Sequence, residues 1–508
     1  NKERYAYQWT NTLNWKHTFE KHDLGVLLGH ELYYTNTSGT ETAYKAFPDT
    51  NFGLNDISMA TPDTWKSSLE ENALLSFFGR LNYTFNDRYL FTATLRADGS
   101  SKFAEGNRWG YFPSAAAAWR VSEEGFWKDN AIGNVVNNFK LRVGYGTTGN
   151  CNIDNYMYAT AYNATVYPVG NQETAALAPG STVGNNNLKW EKTVSTNIGL
   201  DLGLWGNRVN LTLDWYNNKS DDLLMKVAIP TSTGYTHQYQ NIGSIRNRGI
   251  EFSINTSIIQ NNDLNWNFFA NLTWNKNEVI KLSTDDPLEY TYQIIEQGHP
   301  YSQFYMKEYV GIDHETGKPL WYLNKEGDET TSDYNAAAKR YVGDADPKVL
   351  GGFGTNLTWK GVDFNLNFNY RLGGKVYNSG AAFTGFGMAF RTPLEDVALN
   401  SWTPENKNAK YPQYIYRDPN NATATSSRYL YSGNYLRISN VTLGYTLPKT
   451  WTQKAFIQKL RAYVSVDNLY TFTASDFVGY NPETSANGVI AWQYPATCTF
   501  IGGIQLTF

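Results

Sequence analysis

Thr497-Cys-Thr-Phe-Ile-Gly-Gly-Ile-Gln-Leu-Thr-Phe508 closes the sequence on a period of two. Cys498, Phe500, Gly502, Ile504, Leu506 and Phe508 share one parity; Thr499, Gly503, Gln505 and Thr507 share the other. Successive side chains of a strand point to opposite faces, so the stretch reads as a strand with one apolar face. Soluble domains rarely end on a bare aromatic with an apolar face turned outward, whereas a membrane barrel alternates lipid-facing and lumen-facing side chains to its last residue. Recurrence decides between the two.

The pattern recurs from the first residues. Tyr5, Tyr7, Trp9, Leu13 and Trp15 alternate with polar neighbours, and after a turn near Glu20 to Asp23 the pattern resumes at Leu24, Val26, Leu28, Leu32 and Tyr34. Further strands are predicted around Phe77–Phe85, Tyr89–Leu95, Phe139–Tyr145, Trp190–Leu204, Ile250–Ile258 and Leu264–Trp274. The last group covers Phe353–Trp359, Val362–Leu372, Tyr435–Leu447 and Leu460–Asn468. Most exceed the roughly 9 to 11 residues that cross a membrane at a tilt.

The connections fall into two kinds. Short turns at Asn86-Asp87, Trp205-Gly206-Asn207, Gln260 to Asp263 and Lys360-Gly361 alternate with long segments at 36–73, 148–188, 217–247, 276–349, 373–433 and 471–496. Outer-membrane barrels have short periplasmic turns and long external loops, so the short set marks the periplasmic side. Strand 4–16 and the final strand then both run towards the periplasm, which makes the number of strands odd. The count is about 15, or about 17 if Phe304 to Ile312 and Leu320 to Leu323 add a hairpin. Single-chain bacterial barrels are even-numbered and closed, so the reading is one domain over 1–508, the C-terminal part of a larger barrel.

Composition agrees. The 508 residues include 16 Trp, 37 Tyr, 26 Phe and 42 Gly, which suits a strand-rich wall with interfacial aromatics. Mean hydropathy is only −0.51, but a barrel carries its membrane face in alternate residues. The net charge of −4 offers no basic field for nucleic acid. Cys151 and Cys498 exclude a disulfide-rich scaffold and a Cys-based zinc site, and leave a bridge between them open. The sequence begins at Asn1 with neither Met nor a signal sequence, which is read as a processed N-terminus or one that is absent from this sequence.

Several stretches resemble the SusC/RagA-type TonB-dependent outer-membrane transporters. They are Arg96-Ala-Asp-Gly-Ser-Ser-Lys-Phe103 with Asn107-Arg-Trp-Gly-Tyr-Phe-Pro-Ser114, Leu141-Arg-Val-Gly-Tyr-Gly-Thr-Thr-Gly-Asn150 and Leu188-Lys-Trp-Glu-Lys-Thr193. Asn241-Ile-Gly-Ser-Ile-Arg-Asn-Arg-Gly-Ile-Glu-Phe252, Tyr429-Leu-Tyr-Ser-Gly-Asn-Tyr-Leu-Arg-Ile-Ser-Asn440 and Val466-Asp-Asn-Leu469 complete the set. The resemblance implies a barrel of about 22 strands, of which about 15 to 17 are present here. It also implies an N-terminal plug and TonB-contacting segment, neither present in this sequence, and a SusD-like surface lipoprotein as partner. Its function would be import of glycans or oligopeptides across the outer membrane of a Gram-negative bacterium, with outer-membrane lipid around the wall.

Binding chemistry is expected on the long loops. Trp402, Tyr411, Tyr414, Tyr416, Tyr429 and Tyr431 form one aromatic set for stacking on substrate or packing on a lid, and Tyr292, Tyr301, Trp321 and Tyr322 form a second. Packing inside the loops is the plainer reading for each. Asp98, Gly99, Arg108, Trp109, Gly110, Tyr111 and Pro113 lie in the resembling motif and are read as structural, with Asp98 and Arg96 a lumen-facing polar pair. Asp344-Ala-Asp346-Pro347, Asp285-Asp286 and Asp221-Asp222 read as turn-forming acids, since none matches a calcium loop. No metal or cofactor is expected, the six histidines having no ligand spacing, and no catalytic fingerprint is present. The expected function is TonB-dependent import without enzymatic activity. An adhesin or structural barrel is the alternative, and a barrel enzyme a remote third.

Overall fold

The computed structural model describes residues 2–47, 58–170, 172–282, 286–381, 393–491, 494 and 496–508. Its main element is a sheet of 15 strands in which sequence neighbours are sheet neighbours. In order they are β1 (Lys2–Phe19), β2 (His22–Lys45), β3 (Thr61–Phe85), β4 (Tyr89–Ser100), β5 (Trp109–Arg120), β6 (Val136–Asn150), β7 (Glu191–Leu204) and β8 (Val209–Asp221). There follow β9 (Ser244–Gln260), β10 (Leu264–Lys281), β11 (Val349–Trp359), β12 (Val362–Leu372), β13 (Tyr435–Thr446), β14 (Lys459–Thr473) and β15 (Thr499–Thr507). The short turns are tight for a local reason. Asn86 and Asp87 have φ of 51° and 55°, and Lys360 and Gly361 have 45° and 92°, the left-handed pair that matches the twist of a two-residue hairpin.

Two compact units are present: 1–123 with 142–197 and 218–244, and 124–141 with 198–217 and 245–508. In the first, Leu28 lies opposite Gly79, Leu81 opposite Ala93, and Phe91 opposite Ala117. The apolar parity is turned outward: Trp9, Leu95 and Val143 are 60%, 56% and 50% exposed, an arrangement that suits hydrocarbon rather than water. The other parity is polar and bonded. Arg96 donates to Asp98 at 2.8 Å and to Ser76 at 2.8 Å, with Glu31 at 3.5 Å, so the predicted Arg96–Asp98 pair is present. Above this wall Phe103, Ile153 and Leu188 form a small loop core, with Cys151, Met157, Trp190, Leu224 and Tyr239 packed on it.

The second unit repeats the alternation on β10 to β15. Arg461 holds Asp363 through two bonds of 2.8 and 2.5 Å, and Asn440 donates to Asp467 at 2.7 Å and Ser465 at 2.9 Å. Glycines in these strands make room for aromatic rings across the ladder. A Cβ on Gly351 would lie 2.2 Å from the Asn271 carbonyl oxygen and 2.5 Å from the hydroxyl of Tyr370, its cross-strand partner. That hydroxyl donates to the Asn271 carbonyl at 3.1 Å.

Two buried arginines at the long-loop end of this wall hold the loops. Arg437 donates to Glu483 at 2.6 Å, Asn481 at 2.7 Å and Thr471 at 3.1 Å. Arg371 donates to the Ala345 carbonyl at 2.6 Å. Next to that carbonyl, Asp346 accepts from the Ser302 hydroxyl at 2.7 Å through one oxygen, and burial raises its pKa. Its second oxygen is buried and accepts no bond from the described residues.

One expectation changes, and two open alternatives are decided. Within the segment 36–73 read as a loop, 36–45 and 61–73 are strand, because β2 and β3 stay paired out to Lys45 opposite Thr61. That outer ladder is rich in Thr, Ser and Glu, and the apolar period that reveals a membrane strand stops where the membrane face stops. Gln303–Lys307 and Tyr309–Ile312 belong to two separate small sheets, not to the wall, so among the described residues the wall has 15 strands, the lower of the two counts. Cys151 and Cys498 are free thiols.

Gly351→Val should lower the melting temperature of the detergent-extracted barrel through a clash of about 1–3 kcal/mol. Gly502→Val, where nothing lies within 4 Å of an added Cβ, should leave it unchanged in the same unfolding assay. Because the Asp346 carboxyl titrates above its ordinary value, its contribution is fully present below the usual carboxylate range and lost as pH rises through the raised pKa. Amide exchange across 344–348 should therefore slow as pH falls from neutral towards about 4, after correction for intrinsic exchange rates, and Asp346→Asn should abolish that dependence.

Candidate functional site

The second unit carries the larger loop body. Leu288–Glu289, Gln293–Ile295, Gln303–Lys307 and Lys339–Asp344 form one small sheet, and Lys375–Asn378 lies between Leu430–Ser432 and Val489–Ile490 in another. Two loops share a core made of Phe304, Met306, Ala345, Tyr377, Ala381 and Tyr429, and Val489 of a third loop packs against it. Its rings interlock: Tyr292 lies 4.5 Å from Tyr377, and Tyr377 meets Tyr429 edge-on at 6.5 Å.

Beside this core is a cavity of about 520 Å³. Tyr309, Tyr411, Tyr429 and Tyr431 line it, together with Arg428, Lys410, Asp396 and Asp476. The Arg428 guanidinium lies 5.4 to 5.7 Å from the ring centroids of Tyr309, Tyr411 and Tyr429, and it donates to the Ala422 carbonyl at 2.8 Å. Asp396 accepts from Lys410 at 2.7 Å and from the Tyr411 hydroxyl at 2.5 Å, and these bonds hold its carboxyl below the usual range. Burial pushes the Tyr309 phenol up to about 12, and its hydroxyl accepts and donates no bond among the described residues. The cavity therefore offers ring faces beside a cation, a set suited to orienting an amphipathic ligand.

The predicted aromatics divide by position. Tyr411, Tyr429 and Tyr431 meet at this cavity, Tyr429 being 3% exposed and mostly committed to the core. Trp402 is buried against Ile312 and Ala409, and its indole donates to the His314 carbonyl at 2.9 Å. Trp321 is 1% exposed and packs edge-on against Tyr334. Tyr292 packs on the core, and the Arg340 guanidinium covers Tyr322 at 4.1 Å. Tyr414, Tyr416 and Tyr301 are 41%, 64% and 44% exposed and present ring surface to solvent.

The motif residues have packing partners. Trp109 lies against Gly99, Gly110 lies under Phe112 and Trp190, and the Arg108 carbonyl accepts from the Trp190 indole at 2.8 Å. Pro113 accepts from Thr147 at 3.2 Å, while Tyr111 is 64% exposed on the outward face. Asp344 pairs with Lys348 at 3.0 Å, and Asp221 with Lys219 at 2.8 Å. Asp285 lies outside the described residues. Among those described, no three His, Cys, Asp or Glu side chains gather as a metal site.

Sequence reasoning missed Tyr309, Arg428, Asp396 and Lys410. Arg428 stands next to Tyr429 and was within reach of an aromatic-plus-cation reading, but Tyr309 comes from another loop and only folding brings it in.

Comparison with known proteins adds the family. Residues 1–379 match the family described as TonB dependent receptor-like, beta-barrel. TonB-dependent receptor P3 of Formosa agariphila is 32% identical over 98% of this chain and 52% of its own length. TonB-dependent receptor SusC of Bacteroides thetaiotaomicron is 35% identical over 86% of this chain and 44% of its own. A solved structure titled Structure of the RagAB peptide transporter superposes with a TM-score of 0.88 at 31% identity, covering 100% of this chain and 56% of that one. The chain spans about half the length of the curated relatives it matches. An outward apolar parity on fifteen antiparallel strands and a match over most of their length lead to one conclusion: the chain belongs to the TonB-dependent receptor-like β-barrel family, among its SusC-like members.

Proposed function

We propose that this chain forms most of the wall and the outer loops of an importer that takes large nutrients, glycans or oligopeptides, across the outer membrane. The observation that carries the reading is the loop body of the second unit. Two loops share one hydrophobic core and, with a third packed against it, present a cavity of about 520 Å³ lined by tyrosines around Arg428, which is a preformed capture site on a membrane wall. Import driven through TonB is supported by the family, and a SusD-like lipoprotein over the loops by the similarity to SusC and RagAB. The remaining strands and the plug expected of such a transporter would be supplied outside this sequence. In this reading the chain makes and breaks no bonds. Its work is to recognise, position and pass cargo.

Between the two cargo classes, similarity to the RagAB peptide transporter favours peptides. The cavity also has Leu394, Val397, Leu430 and Val478 in its lining, apolar groups that fit peptide side chains better than sugar hydroxyls. The direct experiment is uptake of labelled oligopeptides and oligosaccharides by cells carrying the full-length protein, with and without TonB. Uptake that persists without TonB would remove the energised mechanism, and surface binding with no uptake would favour an adhesin.

Two substitutions separate contact from packing. Tyr414→Ala with Tyr416→Ala should reduce substrate capture several-fold while the barrel stays heat-resistant on unboiled gels. Trp402→Ala should instead loosen the loop by about 3–5 kcal/mol, read as faster proteolysis within 400–412. Arg428→Ala should weaken capture of carboxylate-bearing peptides more than of neutral oligosaccharides, measured by titration of the purified full-length protein.

A further inference from the structure

Beyond the span, β3 has one edge that no strand covers. Its pairing with β4 ends at Leu74 opposite Ser100, while its pairing with β2 continues to Thr61 opposite Lys45. The first two positions of this edge are closed by other means. Ala73 exchanges bonds with Ser101, its amide donating to the hydroxyl at 2.9 Å and its carbonyl accepting from the amide at 3.0 Å. Two residues on, the Tyr156 hydroxyl accepts from the Glu71 amide at 2.9 Å and donates to the Glu71 carbonyl at 3.2 Å. Residues of a strand turn their amides and carbonyls to alternate sides, so Leu69, Ser67 and Trp65 direct theirs to this same edge. No described residue bonds those groups. Every residue from Thr61 to Glu70 is exposed, Trp65 by 74% and Leu69 by 62%.

Where the open edge meets Glu70 there is a cavity of about 620 Å³, lined by Glu70, Lys102, Asp154, Asn155, Tyr156 and Tyr239. Acceptors dominate it. Lys102 directs its ammonium to the Ile153 carbonyl at 2.6 Å, the Asn155 amide nitrogen lies 3.5 Å from Glu70, and the Asn155 side-chain oxygen is buried with no bond from the described residues. Burial and the Asp154 carboxylate raise the Tyr239 phenol, so its ring stays neutral beside that charge. Tyr156 holds φ of 64°, a conformation costly for an aromatic residue, and its hydroxyl is fixed on Glu71. We infer that the open edge of β3 takes an extended peptide as an added strand, antiparallel to β3, with the free amino terminus of the peptide in the cavity against Glu70 and Asp154. Unpaired backbone groups at strand spacing are matched by another backbone, a repeat that a glycan lacks. Two carboxylates beside tyrosine rings select an ammonium group. With its amino terminus at Glu70, the peptide reaches Ser67 and Trp65 only by running opposite to β3, which is the more stable pairing. The stretch Trp65 to Leu69 is about 14 Å long, so about six peptide residues fill edge and cavity together. The inference rests on the import reading in that the peptide is cargo, and its test keeps binding apart from uptake.

The purified full-length protein in detergent is titrated with a hexapeptide that has no charged side chains and carries a fluorophore at its carboxyl end, and anisotropy reports binding. Acetylating the amino terminus should weaken binding about tenfold. Glu70→Gln with Asp154→Asn should weaken binding of the free peptide by a similar factor and leave the acetylated one unchanged. N-methylation of alternate backbone amides should abolish binding in one phase and spare it in the other, since only every second residue faces the edge. Ser67→Pro removes an amide that β2 does not use, so the barrel should keep its melting temperature and lose the peptide. Equal binding of the acetylated peptide overturns the ammonium contact, and equal effects of the two methylation phases overturn the added strand. Both are read on the unaltered chain, so they stand even if Ser67→Pro does not fold. Amides of Trp65, Ser67 and Leu69 already protected from hydrogen exchange without peptide would overturn the open edge and show a partner on it instead. Binding in the expected pattern by cells that take up no peptide would support the edge site and overturn import.

Discussion

Everything in this molecule answers to one constraint: a backbone crossing hydrocarbon finds no water, so every amide and carbonyl in the span must be bonded within the sheet. The ladder of antiparallel pairs meets it, and the ladder then dictates the rest. Because side chains alternate, one parity must be apolar and the other is free to be polar. Because neighbouring strands must stay in register through the span, the turns at one end are short and left-handed, as at Asn86-Asp87 and Lys360-Gly361. Chain length not needed for crossing collects at the other end, where it becomes loops.

Those loops fold by a different rule. In the wall, large apolar side chains are exposed and polar ones are bonded to each other, as in Arg461 with Asp363. In the loop body the ordinary order returns: Phe304, Met306 and Tyr377 are at most 1% exposed, and charged groups lie at the edges. Two buried guanidiniums mark the border. Arg371 and Arg437 stand on wall strands and bind loop groups, so the loop body is tied to the strands rather than left to its tips.

How much of this could be read without coordinates depends on which rule was acting. Where the membrane imposes a period of two, strands such as Val362–Leu372 were legible to the residue, and so were the turns beside them. Where the same strands continue into water, as in β2 beyond Asn36, the period has no reason to persist and the strand hid in a Thr-rich stretch read as loop. Aromatic residues in the loops were found as a class. Their division into packed and presented rings was not legible, because Trp402 and Tyr416 differ only in what folds around them. Tyr309 joins Arg428 across more than a hundred residues of chain, a meeting encoded in tertiary packing alone.

The paired length of β2 and β3 has a mechanical meaning. Crossing takes about 9 to 11 residues, yet β2 runs from His22 to Lys45, so about a dozen paired residues, or about 40 Å of strand, stand beyond the span. A hydrogen-bonded ribbon of that length resists bending far better than a loop of equal mass. It is a mast rather than a tether: a paired ribbon keeps its direction beyond the span, so the hydroxyl and carboxylate groups along it are carried outward stiffly.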